Sequence, residues 1–147
     1  MMALVVHFEL EFHQMDMKTT FLNGNLDKED YMVQFEGFQE SSSENLVCRL
    51  KKSLYGLKQA YRQWYLKFDE IVTSMGSEEN KVDKCIYLKI SDSKFIFLML
   101  YVDDILLSSN DVGLLHETKK LLSKNFNMKD LGDASFVLGI KICRDKS

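Results

Sequence analysis

Apolar and polar residues alternate along Leu4 to Met17, where Phe8, Leu10 and Phe12 interleave with Glu9, Glu11 and His13. That period of two predicts a half-buried strand. Turn residues follow in "NGNLDKED", then "YMVQF" reads as a short strand and "EGFQESSSEN" as an exposed loop. "LVCRLKKSLYG" alternates apolar with basic residues, predicting a strand with one basic face. From Gly56 the period lengthens: Leu57, Tyr61, Trp64/Tyr65, Phe68, Ile71/Val72 and Met75 recur at helical spacing. Lys58 and Arg62 lie four apart on another face of that helix, and Met75-Gly76 is its expected end. "CIYLKI" and "FIFLMLYV" flank "SDS", a hairpin signal. "ILLSSN" returns as a further strand, which puts Asp103-Asp104 in a second tight turn. Asn110 or Asp111 can cap a helix marked by Val112, Leu115, Thr118/Lys119, Leu122 and Phe126. "FVLGIKI" closes the pattern as a strand. Two long helices with mainly hairpin-linked strands predict an α+β fold, an antiparallel sheet with helices packed on one face.

Composition agrees with a single domain and a real core: 147 residues, 46% of them apolar. The longest apolar run, Phe95 to Val102, is too short to span a bilayer. The first residues lack the basic flank of a signal peptide. Cys48, Cys85 and Cys143 are odd in number and far apart, which indicates neither a disulfide framework nor a zinc site. Proline is absent, against an average usage of about 5%.

Net charge is −3, but it is unevenly spread. Residues 1–45 hold nine acids against two bases. Residues 46–68 hold Arg49, Lys51, Lys52, Lys58, Arg62 and Lys67 with no acid at all. Such a block is either a phosphate-facing surface or a solvated basic helix face.

The most apolar segment, "FLMLYVDDILLSS", carries Asp103 and Asp104 at its centre. Buried carboxylates are costly unless paired, hydrogen-bonded or metal-bound. One resolution is local, since aspartates in hairpin turns bond nearby backbone N–H groups. A second is a metal site, because Asp16 also ends an alternating segment and a shared sheet can bring it beside the pair. Divalent cations would relieve the repulsion among such carboxylates.

Six stretches, in order, resemble the reverse transcriptase region of copia-type long-terminal-repeat retrotransposon polyproteins. They are "HQMDMKTTFLNGNL", "YMVQFEGF", "LKKSLYGLKQAYRQWY", "DKCIY", "LMLYVDDILLSSND" and "FNMKDLGDASFVLGIKICRD". The resemblance runs nearly end to end. It implies a polymerase palm with part of the fingers, and two-metal nucleotidyl transfer onto a primer 3′-hydroxyl with Mg2+, or Mn2+ as a substitute. It assigns Asp16, Asp103 and Asp104 as catalytic and metal-binding residues, with Asp16 and Asp103 bridging the ions and Asp104 in support. It places Phe21 as a gate against the ribose 2′-hydroxyl, and Gly56 and Gln59 in the nucleotide pocket. Lys58, Arg62 and Gly139, the last in the primer-gripping "FVLGIKI", would contact template-primer. The implied partners are an RNA/DNA template-primer, deoxynucleotides and the rest of the Pol polyprotein, including integrase and RNase H. The implied setting is intracellular, in cytoplasmic virus-like particles or the nucleus, without secretion or a membrane.

The chain departs from the family pattern where Phe35 and Tyr61 replace prolines and Ser77 replaces a phenylalanine. The first two substitutions explain much of the missing proline. Tyr61, in the first turns of the expected helix, stands where proline is tolerated. The resemblance also implies that residues 1–147 are a fragment of the reverse transcriptase domain, without most of the fingers, the thumb or RNase H. A catalytically silent palm remnant that at most binds nucleic acid is the rival expectation. An unrelated α+β binding module would need all six motifs to coincide.

Overall fold

Six antiparallel strands make the main sheet, in the order β4 (Glu78–Glu79), β5 (Ile86–Ser91), β6 (Lys94–Tyr101), β7 (Asp104–Ser109), β1 (Glu11–Met17) and β8 (Met128–Asp133). The structure is a computed structural model. It describes residues 1–18, 29–34, 37, 46–52, 54, 58–137 and 139–143, apart from the side chains of Lys58 and Gln59. The chain divides into two compact units, Thr20–Lys67 and the remainder, Met1–Thr19 with Phe68–Ser147. The smaller unit contains a two-stranded pair, β2 (Tyr31–Val33) with β3 (Val47–Arg49). Helix α2 (Lys58–Ser74) begins there and ends in the larger unit.

Residues facing each other across a ladder share a face of the sheet, so the register sorts the core. One face carries Met15, Tyr87, Leu98, Ile105 and Leu107, all fully buried. Phe68 of α2 meets Tyr87 edge-on at 5.7 Å and stacks on Phe126 at 6.0 Å. Helix α3 (Val112–Asn125) packs on β6, β7 and β8 and buries Leu115 and Leu122. Asp111 caps α3 as expected, its carboxylate accepting from the Leu114 N–H at 2.7 Å. Gly76, at φ +83°, ends α2 in the left-handed conformation that glycine adopts freely. Phe68→Ala would open a void between two rings at no gain in bonding. It is expected to lower stability by about 3–5 kcal/mol, read from urea unfolding.

The opposite face carries Phe12, Gln14, Asp16, Asp104 and Leu106. Phe12 and Leu106 join Ala134 in a second, smaller cluster, against which Met1, Val5, Met99, Val137 and Ile142 pack.

Three sequence expectations change. Residues 4–17 do not form one strand: Met2–His7 is helix α1, and β1 starts at Glu11. Met1 and Val5, four apart and so on one side of the helical turn, both pack on the second cluster. The chain turns back at Glu9, with φ +50° and the Leu10 N–H bonded to the Val5 carbonyl at 2.9 Å. Helices α2 and α3 share one face, but α1 lies on the other. The "FVLGIKI" segment is not one strand either. It is a hairpin of β9 (Phe136–Val137) and β10 (Ile140–Lys141), turned at Gly139 with φ +78°. Nor does the apolar-polar pattern foretell β8, whose "MKDLGD" is mostly exposed and is held by pairing with β1. Among the described residues, no helix is long and apolar enough to cross a membrane.

Candidate functional site

The β6–β7 hairpin answers why two carboxylates interrupt the most apolar segment. Tyr101 pairs with Asp104, which leaves Val102 and Asp103 as the two turn residues. The turn thus sits one residue earlier than the expected Asp103-Asp104, and Asp104 is already in the ladder. On its other side Asp104 pairs with Asp16, and Asp16 in turn pairs with Lys129 of β8. The Met17 N–H donates to the Asp103 carbonyl at 2.9 Å and ties the turn to the end of β1. Both carboxylate segments therefore sit where apolar strands run out, half-buried rather than in the core. Val102 adopts φ +53°, a costly conformation for a β-branched residue that concentrates at functional turns.

The three aspartates are not equivalent. Asp103 Oδ1 is shut off from solvent and has no hydrogen-bond partner. Asp104 Oδ1 accepts from Gln14 Nε2 at 2.8 Å. The direct cross-strand partner of Asp16 is Asp104, with Asp103 one step further into the turn. As a set of three, their oxygens do not close to within 4.8 Å; among the described residues the one such group is Glu11, His13 and Asp133.

That other group, at the far end of β1, belongs to a network of hydrogen bonds and ion pairs. Lys119 of α3 is almost fully buried and lies 2.6 Å from His13 Nδ1. Its ammonium also donates to both oxygens of Asp130, at 2.7 and 2.9 Å. An ammonium has only donors, so His13 Nδ1 must accept and Nε2 carries the imidazole proton. That Nε2–H faces Asp133 at 3.2 Å and Glu11 at 3.7 Å. A nitrogen holding a proton is not a metal ligand, so this group reads as a structural tie between β1, α3 and β8. Burial, reinforced by the Lys119 charge, holds His13 below its usual 6.5 against the pull of three carboxylates. For Asp130, burial pushes upward, but the bonds from Lys119 and the Gly132 N–H prevail and hold it below 3.8.

A family model described as reverse transcriptase (RNA-dependent DNA polymerase) matches residues 1–147. The chain belongs to this family. Within the reverse transcriptases it is similar to the Pol polyprotein of transposon TNT 1-94 from Nicotiana tabacum, at 48% identity over 99% of the chain and 11% of that polyprotein. It is 37% identical to the Pol polyprotein of transposon RE1 from Arabidopsis thaliana, over 89% of the chain and 9% of that protein. A putative transposon Ty5-1 protein of Saccharomyces cerevisiae is 30% identical over 87% of the chain and 42% of its own length. These matches place the chain among the copia-type elements, and it spans about a tenth of the plant polyproteins it matches. No solved structure matches it.

Other residues expected to serve a reverse transcriptase fall as follows. On α2, Arg62 is exposed while Trp64 and Phe68 are fully buried, as the helical phase required. Gly139 is exposed in the β9–β10 turn. In the basic block Lys51 and Lys52 are exposed, and Arg49 pairs with Glu29 at 2.6 Å. Phe21, Phe35 and Gly56 lie outside the described residues, as do the side chains of Lys58 and Gln59. Sequence reading assigns no role to Gln14, His13 or Asp130, and to Lys119 only a place on the apolar stripe of α3, where it is buried. Gln14 left a signal of its own: a polar residue two before Asp16, and hence on its face of the strand.

Proposed function

We propose that this chain supplies the palm, with part of the fingers, of a copia-type RNA-directed DNA polymerase, and that Asp16, Asp103 and Asp104 carry its nucleotidyl transfer. One observation carries the reading: in a chain of this family, Asp16 and Asp104 are cross-strand partners next to Asp103, one of whose oxygens is sealed from solvent and has no protein donor. A buried acceptor left unsatisfied costs about 1–3 kcal/mol, more when charged. The position suits a hard cation. Reverse transcriptases generally use divalent ions, and an all-carboxylate donor set fits Mg2+, with Mn2+ as a substitute.

Such ions, when bound, supply activation of the primer hydroxyl and charge stabilisation at the leaving oxygen. The protein's part is to hold and position. Asp16 and Asp103 would hold the ions, with Asp104 in support. The primer 3′-hydroxyl attacks the α-phosphate of a deoxynucleotide, and pyrophosphate leaves. Phe21 excludes a ribose 2′-hydroxyl by bulk, and Gly56 and Gln59 line the nucleotide pocket. Lys58 and Arg62 hold phosphates of the template-primer, and Gly139, without a Cβ, lets the primer backbone approach. The rest of the Pol polyprotein, integrase and RNase H included, completes the machinery.

The test replaces the matching segment of the TNT 1-94 polyprotein with this chain. Extension of a DNA primer on a homopolymer RNA is the expected result, abolished by chelation and restored by Mg2+. A chimera that folds and binds template-primer but extends nothing would favour a silent palm remnant.

A further inference from the structure

We propose that Gln14 is the positioning residue for Asp104, fixing which of its two oxygens is turned to the cation. The inference rests on the three-aspartate reading above. Gln14 lies on β1 two residues before Asp16, so both point to the same face. Its register partner is Leu106, and Leu106 belongs to an apolar cluster with Phe12 and Ala134. Gln14 as a residue is 9% exposed, and a side-chain amide buried beside such a cluster is costly unless hydrogen-bonded. The bond it makes crosses the β1–β7 ladder diagonally, from Nε2 to Asp104 Oδ1 at 2.8 Å. An ionised carboxylate only accepts, so the contact also fixes the amide, nitrogen towards Asp104.

The bond divides the work between adjacent aspartates. Asp104 is held by a neutral donor on one oxygen, which leaves Oδ2 to face a cation in one orientation. Asp103 Oδ1 has no donor and so keeps its full demand for positive charge. Leucine at position 14 would suit the apolar neighbours better yet release Asp104. Methionine would do the same at nearly the length of glutamine.

Mg2+ titration of the 147-residue chain, followed by the NMR shift of the Met17 amide that bonds the Asp103 carbonyl, tests this without catalysis. Gln14→Leu is expected to weaken Mg2+ binding about tenfold, the lower end for residues that orient metal ligands, with thermal stability at or near wild type. In an Asp104→Asn background the same change is expected to have no further effect on Mg2+. If Gln14→Leu does not fold, Gln14→Met carries the same expectation. Unchanged Mg2+ affinity in the Gln14 variants, alongside loss in Asp103→Asn, overturns the positioning role and leaves the three-aspartate site standing. An equal loss with and without Asp104 also overturns it, because Gln14 would then act elsewhere. A wild-type chain with no saturable Mg2+ response that Asp103→Asn removes overturns the site and this inference together.

Discussion

Asp103→Asn in the TNT 1-94 chimera is expected to cut primer extension about a thousandfold and to leave thermal stability at or above wild type. The two halves have one origin. A carboxylate that holds a cation at the reacting phosphate supplies several kcal/mol of transition-state stabilisation, and about 1.4 kcal/mol is tenfold in rate. The same carboxylate is a burden to the apo fold, because its Oδ1 is sealed from water without a donor. Asparagine is close in shape and removes the charge, so the turn loses no packing and sheds a desolvation cost. Val102, strained at φ +53°, keeps its place because the Met17 bond to the Asp103 carbonyl is backbone to backbone. Stability gained where activity is lost is the mark of a site built for function. A variant that loses activity and unfolds earlier would instead make Asp103 a structural residue. A variant that keeps full extension would remove it from the catalytic set.

Much of this site was legible in the sequence because its chemistry is local. Strand ends carrying acids, at Met15-Asp16 and Val102-Asp103-Asp104, can be read from a run of apolar residues meeting a carboxylate. Register then converts that reading into the Asp16–Asp104 pair. The helical phase of α2 was equally legible, since Trp64, Phe68, Val72 and Met75 recur in steps of four, four and three, which a helix gathers on one face and a strand would split between two. What escaped was decided by partners distant in sequence. Strand β8 lacks an alternating pattern because it is an edge strand, held by backbone bonds to β1 rather than by a buried face. Helix α1 contains Val5 and Val6, poor helix formers, and follows the position of the Phe12–Leu106–Ala134 cluster instead of its own propensity. Gln14 and Asp104 are 90 residues apart, and His13 and Lys119 are 106 apart. No local pattern joins such pairs.

The second large effect belongs to that distant pair. Lys119→Met is expected to destabilise the chain by about 1–2 kcal/mol at neutral pH and to flatten its loss of stability in acid. Bonds to charged groups are worth about 1.5–3 kcal/mol, and Asp130, with half its side chain exposed, recovers part of that from water. Methionine fills nearly the same volume, so little of the effect comes from packing. The pH dependence follows from the sign of each shift. His13 is held below 6.5 in the fold, by burial first and Lys119 second, while Asp133, Glu11 and Asp130 oppose. Below pH 6.5 the unfolded chain therefore binds this proton more readily than the native one. Stability falls as pH drops through that window and levels once the native imidazole is also protonated. Asp130, held below 3.8, adds a second loss at lower pH by the same rule. Methionine removes the cation that supports both shifts, leaving burial alone to hold His13 down against the three carboxylates. Urea unfolding on either side of pH 6.5 reads the first window, and His13→Gln should erase it while sparing the second. An unaltered pH slope in Lys119→Met would show that the ammonium does not govern the His13 proton, and the tautomer assigned to His13 would fall with it.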